Sequence, residues 1–404
     1  MHAELRALKA PAVFDGTRFV PGGATVLVEA DTIVGVEPYD YRVPVACPVT
    51  TYDGTLLPGL IDAHVHLVSD GELGSLERSG TQSDEEVDTT IGTSLRAQLA
   101  AGVTTVRDLG DTRYRTLAFR DRDEPGLPRI VAAGPPMTVP DGHCHYLGGC
   151  VEGVDAIRAG VQEHASHGVD LIKVMASGGL VTTGTDVLGV QFAAVDLQVL
   201  VETAHAQGLR VVAHAHSLAG IEHALGAGVD GIEHFTGMVE GGLSVPDDVL
   251  DRAAQAGVVV DLTFGFDWDR FDAMPSPPPN VLEAMRRTGM DPRSSIAARQ
   301  AVAARVRERG LTMICGDDAG AGPPKPHGGI AGAIEDLVAA GYPLEEALAS
   351  ATSVCAAACG LAAVTGALRS GLAADLVVLA GDVRDDLGEL RRPVGVMVGG
   401  IGLD

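Results

Sequence analysis

Residues 58–66 read Pro-Gly-Leu-Ile-Asp-Ala-His-Val-His. Val65 alone separates His64 from His66, so on a β-strand both imidazoles point to the same face. Such a pair offers two nitrogen ligands to one divalent metal. Pro58 and Gly59 punctuate the start, and the apolar run behind them suits a strand buried on both faces. Two histidines ending a core strand are also compatible with plain packing. The rest of the chain has to supply the other ligands.

Outward from this stretch, short apolar runs alternate with helical stretches. After 59–66 come VTTVRDLG (103–110), RIVAAG (129–134), VDLIKVM (169–175) and RVVAHAH (210–216). DGIEHFT (230–236), GVVVDLTF (257–264) and LTMICGDD (311–318) complete the set. Helical spacing fills the gaps, as in DEEVDTTIGTSLRAQLAAG and in LAGIEHALGAG, the latter stopped by glycine. Strand and helix in eightfold alternation predict a (β/α)8 TIM barrel over residues 57–366. Residues 10–53 instead read as short strands with turns, and the tail beyond 366 has the same character. The expected architecture is therefore α/β, with a small β-sandwich domain formed from 1–56 and 367–404. No tandem repeat is found, only a proline-rich PSPPP at 275–279.

At 404 residues the chain exceeds what one core fills. With 54 acidic against 29 basic residues, a net charge of −25, it repels phosphate backbones and anionic lipids. Neither nucleic acid nor membrane is an expected partner. The charge is spread along the chain and says nothing about the reaction. No apolar run approaches the roughly 20 residues of a membrane span, and the N-terminal MHAELRALKAPAVFDG has no apolar signal core. A cytoplasmic homo-oligomer acting on a small molecule is the expectation. Six cysteines, none in a CxxC pair, argue against a disulfide framework or a thiolate zinc site.

Active sites of such barrels lie at the C-terminal ends of the strands. The polar residues there are His64 and His66, Lys173, His214, His234 and the pair Asp317–Asp318, together a metal-site inventory. Lys173 is flanked by apolar residues on a central strand, where an unpaired ammonium is costly. Near two cations it would lose its proton, and the neutral amine can react with CO2. The carbamate so formed has two oxygens suited to bridging two metals. The competing reading is a buried ion pair.

PGLIDAHVH, the strand lysine, HAH, IEH and GDDAG, in this order, resemble the amidohydrolase superfamily with a binuclear metal centre. The closer likeness is to its imidazolonepropionase-like and Xaa-Pro dipeptidase-like branch. This resemblance covers nearly the whole chain. It implies that His64 and His66 bind the more buried metal, that carboxylated Lys173 bridges, and that His214 and His234 bind the second. It further implies that one aspartate of the eighth run is both ligand and proton shuttle. Alignment on Gly316 and Ala319–Gly320 selects Asp318 and leaves Asp317 where the family often has Ser or Thr. Two divalent ions would lower the pKa of a water so that hydroxide is available near neutral pH. Zinc is expected for a histidine-rich site, with Mn2+ or Fe2+ also compatible.

Two further stretches match this branch. In GHCHYLGG (142–149), His143 is favoured as the histidine facing the scissile carbonyl, with His145 the alternative and Tyr146 beside it at the substrate. In PHGG (326–329), His327 is expected at the mouth. Four aromatics, Phe264, Phe266, Trp268 and Phe271, fall on the loop after the seventh run, although aromatics are only 4% of the chain. Phe266 and Trp268 are taken as an apolar substrate wall. Arg113 and Arg115 could meet a substrate carboxylate, but a surface role is favoured. His164, His167, His205 and His223 lie in outer helices and are expected to face solvent. His216, just beyond His214, is expected to support the site rather than bind. The resulting expectation is hydrolysis of a C–N amide bond in a dipeptide or N-acyl amino acid with a bulky apolar side. Alternatives are a cyclic amide such as an imidazolone, a lactone or phosphoester, or a non-catalytic assembly module.

Overall fold

The computed structural model describes residues 5–122 and 124–402. The outermost residues of the expected terminal segments, 1–4 and 403–404, lie outside the described residues. All eight apolar runs form parallel strands of one barrel: β1 (Leu60–Val65), β2 (Val103–Asp108), β3 (Arg129–Ala132), β4 (Leu171–Met175), β5 (Arg210–Ser217), β6 (Gly231–Val239), β7 (Val259–Asp261) and β8 (Met313–Ile314). Ladders join β1 to β3 in one arc and β4 to β8 in another. Two sparser seams close the ring. Asp170 N–H donates to Ala132 O at 2.9 Å, with a bridge at Met137–Val174, and Ala63 N–H donates to Cys315 O at 3.0 Å, with a bridge at Val65–Ala319.

Local chemistry agrees with the elements around the barrel. Helix Asp84–Ala100 starts in a capping box, in which the Ser83 side chain accepts from Glu86 N–H and the Glu86 carboxylate accepts from Ser83 N–H. Helix Leu218–Ala227 ends on Gly228 in the left-handed conformation at φ 82°.

Both chain ends build the second layer. A four-stranded sheet orders Thr32–Pro38, Ala24–Glu29, Leu5–Ala10 and Val49–Thr51. A five-stranded sheet orders Ile401–Gly402, Pro393–Val398, Leu376–Leu379, Thr55–Pro58 and Ala12–Val13. One apolar core holds the two together, with Leu8, Val26 and Ile33 meeting Leu56, Leu376, Val378 and Met397. The result is a β-sandwich. Its strand Thr55–Pro58 passes directly into β1 through Gly59, where a Cβ would lie 2.0 Å from Thr104 Oγ1. Only glycine fits there.

Beyond β7 the chain leaves the barrel as a short helix, Trp268–Asp272, then the proline-rich stretch, then helix Pro279–Thr288. Together these cover one side of the barrel mouth. Among the described residues no helix is long and apolar enough to cross a membrane.

Candidate metal centre

Strand register sets the site. Lys173 on β4 is paired with Val212, Met175 with His214, His214 with Glu233 and Ala215 with His234. The strand-end residues therefore converge at one level of the mouth. Backbone conformation aims several of them: His234 (φ 69°), Thr263 (φ 46°) and Asp318 (φ 61°) all adopt positive φ. For a β-branched threonine this is a strained conformation, which persists only where the surroundings enforce it.

Three groups of three side chains bring ligand atoms within 4.8 Å of one another here: His64, His66 and Asp318; His214, His216 and His234; and His64, Glu233 and Asp261. In the first, Asp318 Oδ1 lies 3.3 Å from His64 Nε2 and 3.2 Å from His66 Nε2. In the second, the His216 and His234 rings stack with centroids 4.2 Å apart, and His214 meets His234 at 4.6 Å. His216 thus stands inside the cluster rather than behind it, beyond what its sequence position suggests.

Each of the five rings has one nitrogen held by the protein. His64 Nδ1 faces Glu233 Oε2 at 2.9 Å and His66 Nδ1 faces Gly110 O at 3.3 Å. His214 Nε2 faces Gly178 O at 3.1 Å. His216 Nδ1 faces Thr236 Oγ1 at 3.1 Å, and His234 Nδ1 faces Thr263 Oγ1 at 2.9 Å. This arrangement orients a metal-ligating imidazole and leaves its other nitrogen free to coordinate. Burial lowers the pKa of His64 to about 4 and of His216 to about 3, and that of His214 and His234 also falls well below the usual range. Those rings are neutral at pH 7, the state a ligand requires. For His66 burial opposes charge, but Asp318 outweighs it and the pKa rises. The Asp318 carboxyl is held well below the ordinary carboxylate range because His64 and His66 overcome the effect of burial.

Lys173 lies among these groups, 1% exposed, and its Nζ has no hydrogen-bond partner among the described residues. Burial, opposed by the charges of Glu233 and Asp318, lowers its pKa to about 8. The predicted alternative of an ion pair does not occur, for no carboxylate lies within salt-bridge distance among the described residues. An orphaned buried amine beside two histidine-rich triads fits a centre that takes divalent metals.

Sequence reasoning overlooked Glu233 and Arg107. Glu233 accepts from His64 and from Arg107 Nη2 at 2.8 Å, while Arg107 Nε donates to Ala63 O at 2.6 Å. Burial pushes Glu233 up, but Arg107 and His64 outweigh it and hold it at about 2. Glu was visible in the IEH motif, and Arg107 in VTTVRDLG.

A cavity of 640 Å³ opens over the centre. Tyr146, Phe266, Trp268 and Phe271 line it, as does His143, whose ring is 4.5 Å from that of His214. Burial first, then His216, lowers the His143 pKa to about 3, and its Nδ1 is unpartnered. Phe266 packs on Trp268 with centroids 4.4 Å apart and on Phe271 at 5.3 Å. Phe264 is instead buried in the core. His145 and His327 do not line the cavity. His145 Nδ1 turns back to Gly142 O at 2.9 Å, and His327 Nε2 braces Ser69 O at 2.8 Å.

Other expectations need adjusting. His164 does not face solvent. It is buried, with Nε2 2.7 Å from Pro135 O and Nδ1 2.8 Å from Gly160 O, so local carbonyls satisfy a ring that periodicity placed outside. His223 is half-buried, whereas His167 and His205 are exposed. Arg113 and Arg115 pair with Asp84 and Asp88 on the neighbouring helix, away from the cavity.

Comparison with known proteins agrees with this fold. Residues 55–401 match the amidohydrolase family. An uncharacterized protein of Mycobacterium tuberculosis is 30% identical over 367 residues, covering 87% of this chain and 86% of its own. The chain belongs to the amidohydrolase family. It is a hydrolase of the kind that acts on C–N bonds, and such enzymes generally use divalent metal ions. The crystal structure of a Xaa-Pro dipeptidase with bound methionine in its active site superposes with TM-score 0.86 at 23% identity, covering 99% of this chain and all of that one. Ochratoxinase from Aspergillus niger superposes with TM-score 0.81 at 22% identity, covering 100% of this chain and 96% of that one. Over 215 residues, 45% of this chain and 43% of its own, ochratoxinase is 30% identical.

Proposed function

We propose that this protein hydrolyses an amide bond in a small substrate carrying a bulky apolar group, a dipeptide or N-acyl amino acid, at a binuclear metal centre. The single observation that carries the reading is the orphaned Lys173 amine between two triads of oriented ligands. His64, His66 and Asp318 would hold one ion, His214, His234 and the neighbouring His216 the other, with Lys173 as a carbamate between them. Zinc suits the imidazole-rich set, and Mn2+ or Fe2+ the carboxylate and carbamate oxygens. When bound, the ions supply Lewis acidity and a water acidified toward neutral pH.

The chain's own residues do the rest. Asp318, ionised because its pKa is depressed, accepts a proton and hands it to the leaving nitrogen. His143 is neutral and has a free Nδ1, so it is suited to donate a hydrogen bond to the developing oxyanion. Phe266 and Trp268 exclude water from the apolar end. The size and apolar lining of the cavity favour this substrate class over a compact cyclic amide.

The test is a screen of the zinc- or manganese-loaded protein against N-acyl amino acids and dipeptides, by amine release. Hydrolysis of bulky apolar members that is abolished by chelation and restored by metal is the expected result. No amine release from any member, with turnover found only in parallel lactone or phosphoester assays, would refute it.

A further inference from the structure

Two cations in the cavity have no carboxylate partner. Arg299, on helix Pro292–Glu308, and Lys325, on the loop after β8, both line the chamber with Phe266 and Trp268. The chain carries 54 acidic residues against 29 basic ones, and Arg113, Arg115 and Arg293 are all ion-paired. Among the described residues neither Arg299 nor Lys325 has an acid within salt-bridge distance. Asp336 is close by, but its Oδ2 accepts from Gly265 N–H at 3.0 Å and it pairs with neither. Asp318 is taken up by His64 and His66.

Their present contacts leave capacity unused. Arg299 Nη2 donates to Leu262 O and, at 3.1 Å, to Thr263 O. Its Nε is buried without a partner, and its Nη1 makes no hydrogen bond. Lys325 Nζ donates to Thr263 O at 2.8 Å and to Phe264 O at 3.0 Å, leaving a third N–H. Arg299 also lies over the Phe264 ring at 4.9 Å and Lys325 Nζ over the Phe266 ring at 5.7 Å, and the charges of Asp261 and Asp317 reach them without pairing. Bracing the β7 loop accounts for those three carbonyls. It does not account for two adjacent positive charges facing an apolar cavity, where mutual repulsion and desolvation both oppose them. An anion delivered by the ligand would relieve both.

We infer that Arg299 and Lys325 form the anion subsite of this cavity and bind a free carboxylate on the substrate, beside the apolar wall of Phe266 and Trp268. The inference rests on the amide-hydrolase reading only for the choice of carboxylate. It makes the substrate an N-acylated amino acid or a dipeptide with its α-carboxylate free, rather than a neutral amide. Binding through two part-buried cations is charge-assisted and less screened than at an open surface.

The test uses the full chain and two matched probes, N-benzoyl-L-phenylalanine and its carboxamide. Binding is followed through Trp268, the single tryptophan, after chelation so that nothing is turned over. The carboxylate should bind about ten- to a hundredfold more tightly than the carboxamide, a charge-assisted bond's worth. Arg299→Met and Lys325→Met should each shrink that ratio toward one, while Arg299→Lys, which keeps a cation, retains part of it. Equal binding of the two probes by the unaltered protein would overturn the inference. So would an undiminished ratio in both methionine variants, with folding checked by circular dichroism. Turnover of the metal-loaded protein is scored separately. A carboxylate preference without hydrolysis would count against amide hydrolysis and leave the anion subsite standing.

Discussion

Replacing Glu233 with Gln tests the support of the centre directly. The substitution keeps the shape but removes the charge that faces both His64 Nδ1 and Arg107. Arg107 is 3% exposed, and its other hydrogen bond goes to a main-chain carbonyl, so its charge is left without a counterion. Stranding one partner of a buried ion pair costs about 3–5 kcal/mol. Gln has one acceptor oxygen for two donors; with that oxygen on Arg107, its NH2 faces His64 Nδ1 in place of an acceptor, which should weaken metal binding about 10- to 100-fold. Chemical denaturation of the metal-free protein reads the first quantity, and competition with a chromophoric chelator reads the second. Arg107→Met placed on Glu233→Gln should recover much of the stability, because the stranded charge is removed, and part of the metal affinity, because the amide oxygen is then free to accept from His64. The pH dependence has a definite sign. Glu233 is held at about 2 against an ordinary 4.5. Its contribution is therefore full above about pH 4.5 and is lost as the pH falls toward 2. A Glu233→Gln protein with unchanged stability and unchanged metal affinity would refute the reasoning.

Lys173→Ala should lose most bound metal by elemental analysis and most activity, with partial rescue by short-chain carboxylates; full occupancy without any additive would remove the bridging role. Asp318→Asn should lower kcat by roughly 10²–10⁴-fold as the proton carrier is lost. Asp317 is buried against Asp62, and burial together with that neighbour raises its pKa well above the usual range, which favours the neutral acid that Asn imitates. Asp317→Asn should therefore cost about tenfold or less in the same steady-state assay, and a reversed order would mean that the family register is shifted by one residue. Phe266→Ala or Trp268→Ala removes burial worth about 1–3 kcal/mol, or about a 5- to 150-fold loss of kcat/KM on bulky amides. Small amides should be nearly unaffected, and equal losses on both would show that the rings only hold the loop together.

The barrel was readable because each buried parallel strand is a short, nearly unbroken apolar run, and all eight runs became strands. The histidines stood out as polar residues at the ends of such runs. What was hidden lies where strand alternation fails. Successive strand residues should face opposite ways, so a reading that takes His234 inward places Glu233 outward. Positive φ at His234 breaks the pleat there, and both side chains reach the centre. The same break at Asp318 leaves Asp317 buried against Asp62 instead of exposed. His164 escaped because its carbonyl partners come from one helical turn back and from a distant loop. Arg299 and Lys325 carried no signal, since each sits in a polar surface-like segment. Only the folded chain shows that, among the described residues, neither has an acid to pair with.

The strand that leads into His64 and His66 also has a bearing on how the protein is made. Thr55–Pro58 pairs with Leu376–Leu379, so roughly 300 residues must be synthesised before its partner emerges. At about 5–20 residues per second, that leaves one edge of the strand without its ladder for tens of seconds on the ribosome. An unpaired apolar edge templates association with other chains. Nascent copies are thus exposed to misassembly until the last strands dock. Truncations near the C-terminus should leave that edge open permanently and be recovered as aggregates, even though every candidate ligand named above would still be present.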